Sequence, residues 1–336
     1  MPYLYLMESN AQVGFVDNQI TIKTSDGDRP RAIPIASVEG ICVFGQPQLS
    51  THLIRACISK NISVGYYSED GRYFGNISSS QNINPVRQKR QVYLTDNRDF
   101  CLAWSKRIIS AKIQNSLMLL TSMDGVYKFN DDELNGIRHS LEQIDLADSV
   151  DMALGFEGNA AKCYYSCLSK LVTNDAFAFK GRSSRPPKDA FNSMLSFGYT
   201  LLYRNIAGAI ERHGLHPYFA FMHKLHAGHI ALASDLIEEY RAPLVDQTVL
   251  SLVNNGEVEI DGFYTNDAGS IYMTRDTSRI LTNKISDVIT QTRVYLADYG
   301  DRKTYGFQAM LDKKISSVVA AIECCDVDQY HPFVWK

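Results

Sequence analysis

Three histidines and two carboxylates lie close together between positions 223 and 238. His223, His226 and His229 recur at every third residue, and Asp235 and Glu238 follow, also three residues apart. On a helix, this spacing makes two carboxylates neighbours, and they repel each other unless a proton or a cation lies between them. A histidine just upstream of such a pair is what a divalent-metal site requires, so this stretch is the first candidate for chemistry.

Of the three histidines, only His223 is assigned a role. It follows the apolar stretch 218–222, which predicts that its side chain enters the interior. A helical spacing of three does not point three imidazoles at one ion, and the usual zinc pair on a helix is spaced by four. We therefore expect His226 and His229 to lie in a solvated loop.

The residues after the carboxylate pair also allow an explanation without a metal. Arg241 is expected to pair with Glu238 or Asp235, which would neutralise the carboxylates. Glu239 is expected to be a surface charge.

A third carboxylate, Glu157, is predicted to point into packed protein. It falls on the same helical stripe as Ala153, Ala160, Tyr164 and Leu168. A buried carboxylate without a partner costs several kcal/mol, and no lysine or arginine stands three or four residues away. Spacing alone leaves two explanations equally open: a metal ligand, or a buried glutamate bonded to a distant arginine or hydroxyl.

Together, Glu157, His223 and Glu238, with Asp235 adjacent, form a set of hard ligands. Carboxylates with one imidazole suit Mg²⁺ or Mn²⁺ better than zinc. Such a metal activates water or a hydroxyl and stabilises charge on phosphate oxygens, so a phosphodiester is the expected substrate. Two basic clusters would position its backbone. They consist of Arg87, Lys89 and Arg90, and of Lys180, Arg182, Arg185 and Lys188.

Composition limits the classes of protein. The 336 residues are 45% hydrophobic and 21% charged, which favours a folded protein, by default of two domains. No apolar run approaches the about 18–20 residues of a membrane span. The seven cysteines show no framework spacing, which fits reduced thiols in a cytoplasm. The net charge of −3 requires any phosphate-binding surface to be local.

The elements that must hold these residues predict an α+β fold. Short segments rich in β-branched and aromatic residues predict a small, mainly β domain over residues 1–78. The polar, basic stretch 79–98 is expected to be a linker, and residues 99–336 an all-α domain with a short β excursion at 258–272. Helices are predicted at 49–60, 100–122, 131–147, 153–172, 189–213, 230–240, 248–253, 279–297 and 306–324.

Several ordered motifs resemble one known family, the CRISPR-associated protein one family. They are Gly155-Phe156-Glu157-Gly158-Asn159-Ala160-Ala161, the Pro-Pro-x-Asp-x-x-Asn-x-x-Leu-Ser-x-Gly-Tyr pattern at 186–199, Gly214-Leu215-His216-Pro217, Phe221-Met222-His223, and Ser234-Asp235-Leu236-Ile237-Glu238-Glu239-Tyr240-Arg241. The stretch 109–115 is also similar, and the resemblance covers essentially the whole chain. The chain length and the segment Tyr330-His331-Pro332-Phe333 resemble the subtype I-C branch.

The resemblance implies a fold, an activity and partners. It implies an N-terminal β domain, a helical C-terminal domain and a homodimer that works with CRISPR-associated protein two. The activity would be that of a metal-dependent DNA endonuclease and integrase, acting on prespacer DNA and the CRISPR repeat. The family's ligands correspond to Glu157, His223 and Glu238, and Asp235 corresponds to an acidic residue that assists in the site.

The leading hypothesis is therefore insertion of short foreign DNA fragments into a CRISPR array by phosphodiester transesterification. Two alternatives stay open at this point. One is a general metal-dependent nuclease acting on branched or single-stranded DNA, as in repair. The other is a structural scaffold whose polar cluster is only a buried network of ion pairs.

Overall fold

A computed structural model describes residues 3–24, 30–69, 73–123, 125–184, 186–290, 292–293 and 305–335. The chain divides into two compact units, Met1–Ile83 and Asn84–Lys336. The first is rich in strands and the second is mainly helical. The predicted α+β fold class is therefore confirmed.

The elements of the first unit are β1 (Tyr3–Leu6), β2 (Gln12–Val16), β3 (Gln19–Lys23), β4 (Arg31–Pro34), β5 (Gly40–Phe44), β6 (Gln48–Leu49), α1 (Thr51–Ser59), β7 (Ser63–Tyr67) and β8 (Tyr73–Ile77). Among the described residues, the strands form two four-stranded sheets. One has the strand order β1-β5-β7-β8, in which β1, β5 and β7 are parallel and β8 is antiparallel to β7. The other has the order β4-β3-β2-β6, antiparallel except for the β2–β6 pair.

Alternating apolar residues build the core of this unit. In β3, Ile20 and Ile22 are buried between exposed or half-buried neighbours, as expected for a strand with one face on a core. Strand β5 is buried along its whole length, since it pairs on both sides. The Glu69-Asp70-Gly71 sequence also predicts a hairpin turn between β7 and β8, but residues 70 and 71 lie outside the described residues.

The second unit is built from long helices with two short strand pairs. Its helices are α2 (Pro85–Leu94), α3 (Arg98–Ser122), α4 (Asp131–Gln143), α5 (Val150–Lys170), α6 (Ala190–Arg212), α7 (Ala231–Ile237), α8 (Gln247–Asn254), α9 (Arg275–Thr290) and α10 (Phe307–Cys324). Strands β9 (Phe263–Thr265) and β10 (Ile271–Met273) pair antiparallel, as do β11 (Thr292–Arg293) and β12 (Tyr305–Gly306).

Local capping explains why most predicted helix ends are close to the observed ones. The side chain of Asp189 accepts from Asn192 N at 2.7 Å and begins α6. Gly214, with φ of +69°, follows the end of the same helix, where a left-handed residue is favoured.

Three predictions about elements need correction. Residues 79–98 are not all linker, because Asn84 caps and Pro85 begins helix α2 within them. Helix α9 ends at Thr290 rather than 297, and residues 294–297 lie outside the described part. The predicted β excursion at 258–272 is present as β9 and β10, whereas the strand pair β11–β12 was not predicted. Within the described residues, no helix is long and apolar enough to span a membrane.

Candidate active site

Glu157 lies on the inner stripe of α5, as its spacing predicts. Ala153 and Ala160 on the same stripe are buried, and the Glu157 side chain is 20% exposed. Its carboxylate forms an ion pair with Lys112, a residue of the neighbouring helix α3. Glu157 is therefore paired, with a lysine rather than with the arginine or hydroxyl that the sequence suggested.

Glu238 lies just after α7 and is buried at 6% exposure. Its Oε1 forms an ion pair with Arg241 Nη2 at 2.9 Å, and its Oε2 lies 2.6 Å from Lys112 Nζ. Burial by itself would raise the pKa of Glu238, but Arg241 and Lys112 lower it to about 2. Glu238 is thus held as a carboxylate, and the predicted pairing with Arg241 is confirmed.

Lys112 joins the two glutamates. Its Nζ contacts Glu157 Oε1 and Glu238 Oε2, so carboxylates from two separate helices face one cationic group. Burial lowers the pKa of Lys112, but Glu238 and Glu157 raise it above its usual value. Lys112 therefore remains an ammonium group at the point where the two carboxylates meet.

Asp235, within α7, is fully buried. Its Oδ2 accepts from Trp104 Nε1 at 3.0 Å, Phe221 N at 3.0 Å and Met222 N at 3.1 Å. Its Oδ1 accepts from His223 N at 2.9 Å and from His223 Nδ1 at 2.8 Å. Asp235 therefore holds the backbone of residues 221–223 as well as the His223 ring.

The Asp235 bond sets the orientation of the His223 ring. A carboxylate can only accept, so Nδ1 carries the proton and Nε2 is the nitrogen with a lone pair. Burial lowers the pKa of His223, but Asp235 more than offsets this, and the pKa is raised. Metal-binding histidines are commonly oriented by such a carboxylate.

The two glutamates line a small pocket of about 10 Å³ that is partly open to solvent. The pocket lies between α3, α5 and the π-helical turn Arg241–Asp246, and His223 does not line it. Among the described residues, no group of three or more His, Cys, Asp or Glu side chains is arranged to hold a metal ion. The structure thus brings Glu157 and Glu238 together around Lys112, and ties His223 to Asp235 beside them.

Sequence reasoning missed the polar residues around Arg241. Asp246 accepts from Tyr164 Oη at 2.7 Å and also from Tyr199, and Arg241 lies 4.6 Å from the centre of the Tyr199 ring. Burial raises the pKa of Asp246 to about 6, although both tyrosine hydrogen bonds oppose the shift. No spacing signal pointed to this cluster, because its members come from three elements.

Two predictions about neighbouring residues had opposite outcomes. His226 is exposed in a loop, as expected, whereas His229 in the same loop is half-buried and its Nε2 lies 2.7 Å from Ser234 Oγ. Glu239 is not a surface charge but is fully buried. Tyr330 Oη and the Phe333 backbone N–H donate to its carboxylate, which compensates for the burial.

The predicted DNA-contacting residues differ in how free they are. Arg87 is bound to Glu323 at 2.7 Å and to His213 O, while Arg90 donates to Glu323 O. Arg182 donates to Asn192 Oδ1 at 2.9 Å and to Ser196 Oγ at 3.0 Å. The side chains exposed to solvent are those of Lys89, Lys180 and Lys188, together with Arg90, and Arg185 lies outside the described residues.

The sequence profile of the family described as CRISPR associated protein Cas1 matches residues 4–287, most of the chain. The chain belongs to the Cas1 family. A Mycobacterium tuberculosis protein named CRISPR-associated endonuclease Cas1 is 40% identical over 327 residues, covering 96% of this chain and 94% of that protein. A Chlorobaculum tepidum protein named CRISPR-associated endonuclease Cas1 1 is 31% identical over 316 residues, covering 90% of each.

Solved structures agree with the fold of this Cas1-family chain. A CAS1 protein from Thermotoga maritima matches with a TM-score of 0.81 at 21% identity, over 99% of each chain. A casposase bound to integration product matches with 0.83 at 23%, over 97% of this chain and 92% of that one. A chain of a Cas6-RT-Cas1–Cas2 complex matches with 0.82 at 22%, over 99% of this chain and 36% of that one. At these identities the likeness shows the fold.

Proposed function

We propose that this chain is a metal-dependent DNA endonuclease and integrase that inserts short foreign DNA fragments into a CRISPR array by phosphodiester transesterification. The observation that supports it most directly is the contact of Glu157 and Glu238 with one ammonium group, that of Lys112. Two carboxylates that face one cationic position suit a divalent metal acting on a phosphodiester. The endonuclease names of the Cas1 relatives and the casposase likeness favour the same chemistry.

The chemistry of the donors fits Mg²⁺ or Mn²⁺. Glu157 and Glu238 offer hard oxygen ligands, and His223 offers Nε2 because Asp235 takes Nδ1. These three residues would hold the ion, with Asp235 as the group that orients the imidazole. A bound ion of this kind lowers the pKa of a water or hydroxyl and stabilises charge on phosphate oxygens.

Charge balance assigns a second role to Lys112. Lys112 and Arg241 together neutralise Glu157 and Glu238. A divalent cation would add two positive charges to this balanced set. Because like charges repel, the cation would push the Lys112 ammonium group away from the carboxylates. We propose that the released Lys112 then neutralises a phosphate of the DNA.

The proposal includes DNA, a homodimer and CRISPR-associated protein two as partners. Exposed Lys89, Lys180 and Lys188 would contact phosphates of prespacer and repeat DNA. The fold is shared with a chain of a Cas6-RT-Cas1–Cas2 complex, which supports the choice of protein partner. Assignment to subtype I-C rests on the length and the 330–333 segment.

The test compares joining with nicking on repeat and non-repeat DNA in Mg²⁺ or Mn²⁺. The wild type should join fragments at the repeat boundary, and Glu157→Gln should lose at least about 100-fold, because changes of groups that merely orient a ligand already cost 10–100-fold. Glu142→Gln, an exposed change on α4, is the control. Joining by Glu157→Gln at the wild-type rate would refute the role of Glu157. Nicking of both DNAs without joining would favour the repair-type nuclease.

A further inference from the structure

The segment that follows α10 is buried against the candidate site. After the 3₁₀ turn Val327–Gln329, Tyr330 and Phe333 are 0% and 3% exposed. The ring of Phe333 stacks on Tyr240 at 5.5 Å between centroids. Lys314 of α10 donates to His331 O at 2.6 Å and to Pro332 O at 3.0 Å. Residues 330–335 are called the strap below.

Glu239, the residue after the candidate ligand Glu238, binds the strap with its carboxylate. Oε1 accepts from Tyr330 Oη, and Oε2 accepts from the backbone N–H of Phe333. Glu239 is fully buried, so both bonds are made away from water, where losing a partner costs more than at the surface. The backbone position of Glu238 is therefore tied to the strap through its neighbour.

The main chain of Glu239 is tied to the strap as well. Pro243 has no N–H, so the carbonyl of Glu239 lacks the partner that a regular helix would provide. Asn115 supplies it: its Nδ2 donates to Glu239 O at 2.7 Å and to Phe333 O at 2.9 Å. Its Oδ1 accepts from Trp335 N at 2.7 Å. Asn115 lies one helical turn after Lys112 on α3, so the same bonds fix the helix that brings Lys112.

The strap also reaches the His223 side of the site. The ring of Tyr330 stacks on Trp104 at 4.4 Å between centroids. Trp104 Nε1 donates to Asp235, which in turn accepts from His223 Nδ1. Tyr330 thus contacts Glu239, the residue after Glu238. It also contacts Trp104, which donates to Asp235, the residue that orients His223.

From these contacts we propose that residues 330–335 are a positioning strap for Glu238 and His223, with Tyr330 as its main positioning residue. The proposal deepens the proposed function, on which its catalytic part rests. Release of the strap would leave the Glu239 carboxylate without the donors Tyr330 Oη and Phe333 N. It would also free the Asn115 amide from the strap and loosen the Trp104–Asp235 contact. Glu238 and His223 would then lose their relative placement while the DNA-binding lysines on other elements stay unchanged.

The test uses the full chain with Tyr330→Phe, which removes one hydroxyl and keeps the stacked ring. Tyr127→Phe is the control, since Tyr127 Oη also donates to a glutamate, Glu133, at 2.8 Å, away from the strap. Tyr330→Phe should weaken Mn²⁺ binding and lower kcat by about tenfold, the cost typical of groups that orient metal ligands, with KM for DNA unchanged. A chain ending at Gln329 should lose activity further and regain part of it when the peptide 330–336 is added.

Hydrogen exchange of residues 219–241 provides a readout that does not need activity. Exchange should speed up in Tyr330→Phe and not in Tyr127→Phe. Unchanged exchange, Mn²⁺ affinity and kcat in Tyr330→Phe would overturn the strap. A wild type that neither binds Mn²⁺ nor cleaves DNA would instead overturn the proposed function, and the exchange experiment would still decide whether the strap orders 219–241. A fall in stability with equal kcat and Mn²⁺ affinity would reduce the strap to a structural clamp and refute the positioning role.

Discussion

Lys112 is the residue on which the charge balance of the candidate site depends. Its side chain is 18% exposed, and it contacts Glu157 and Glu238, which are 20% and 7% exposed. Taking such charges out of water is costly, and the cost is offset only while every charge keeps its partner. Removing the ammonium group would leave two carboxylates facing each other, with Arg241 remaining as an ion-pair partner of Glu238.

We expect Lys112→Met to lower the free energy of unfolding by about 3 kcal/mol at neutral pH, the order of magnitude for breaking a buried pair. Mn²⁺ should raise the Tm of this variant more than that of the wild type, because the metal then replaces a missing counter-ion rather than displacing one. Thermal unfolding with and without Mn²⁺ measures both effects.

Lys170→Met is the matched control for Lys112→Met, because Lys170 pairs with Glu133 at 2.5 Å on a more exposed surface. It should cost little and should not change the response to Mn²⁺. Equal Mn²⁺ shifts in wild type and Lys112→Met would contradict a metal site between Glu157 and Glu238 and would favour the purely structural ion-pair network.

At the scale of elements, helix α4 shows how a helix start is written locally. The Asn130 side chain accepts from Glu133 N at 3.0 Å, and Glu133 accepts from Asn130 N at 2.9 Å, so the two form a capping box. The start was predicted at Asp131, where it is observed, because the signal spans only four residues. The hydrogen bond from Lys170, then those from Asn130 and Tyr127, lower the pKa of Glu133 to about 2.

We expect Glu133→Gln to destabilise the protein at neutral pH, because glutamine keeps the capping geometry but loses the charge. The folded-state pKa of Glu133 is below its ordinary value of 4.5, so its charge contributes stability above pH 4.5. That contribution fades as the pH falls towards 2, and the difference between wild type and variant should narrow over this range. Urea unfolding at a series of pH values measures it. Glu142→Gln, exposed on the same helix, should show no such narrowing.

At the scale of the whole molecule, the basic residues of the 180–188 cluster fall into two groups. Arg182 donates hydrogen bonds to Asn192 and Ser196 within the protein, whereas the side chains of Lys180 and Lys188 are exposed. With a net charge of −3, the proposed DNA binding would depend on local groups of this kind.

We expect Lys180→Gln and Lys188→Gln to weaken DNA binding without changing the Tm. Each should reduce the slope of log K against log salt by about 1, since each removes one phosphate contact. Arg182→Gln should lower the Tm, because Oδ1 of the buried Asn192 loses the hydrogen bond that Arg182 donates. Binding titrations at several salt concentrations, paired with thermal unfolding, separate the two groups. A lysine variant with an unchanged slope would remove that residue from the DNA-binding surface.

Several features followed from the sequence because their causes are local. The strands of the first unit and the starts of α4 and α6 depend on alternation and on caps within four residues. The inner placement of Glu157 followed from its helical stripe. The grouping of Glu157, His223 and Glu238 as one set of metal ligands was predicted from their residue types and from the resemblance to the family, and it stays a prediction.

The tertiary structure alone decided which charge meets which. Lys112 and residues 330–335 are far in sequence from the glutamates they contact, and Asp246 is far from Tyr164, which donates to it. No periodicity connects these partners. For the same reason Glu239 was misjudged: its burial is made possible by Tyr330 and Phe333, which lie about ninety residues later. Local spacing dictates the face on which a side chain lies. The partner that stabilises the side chain once it is buried is brought by the packing of distant elements.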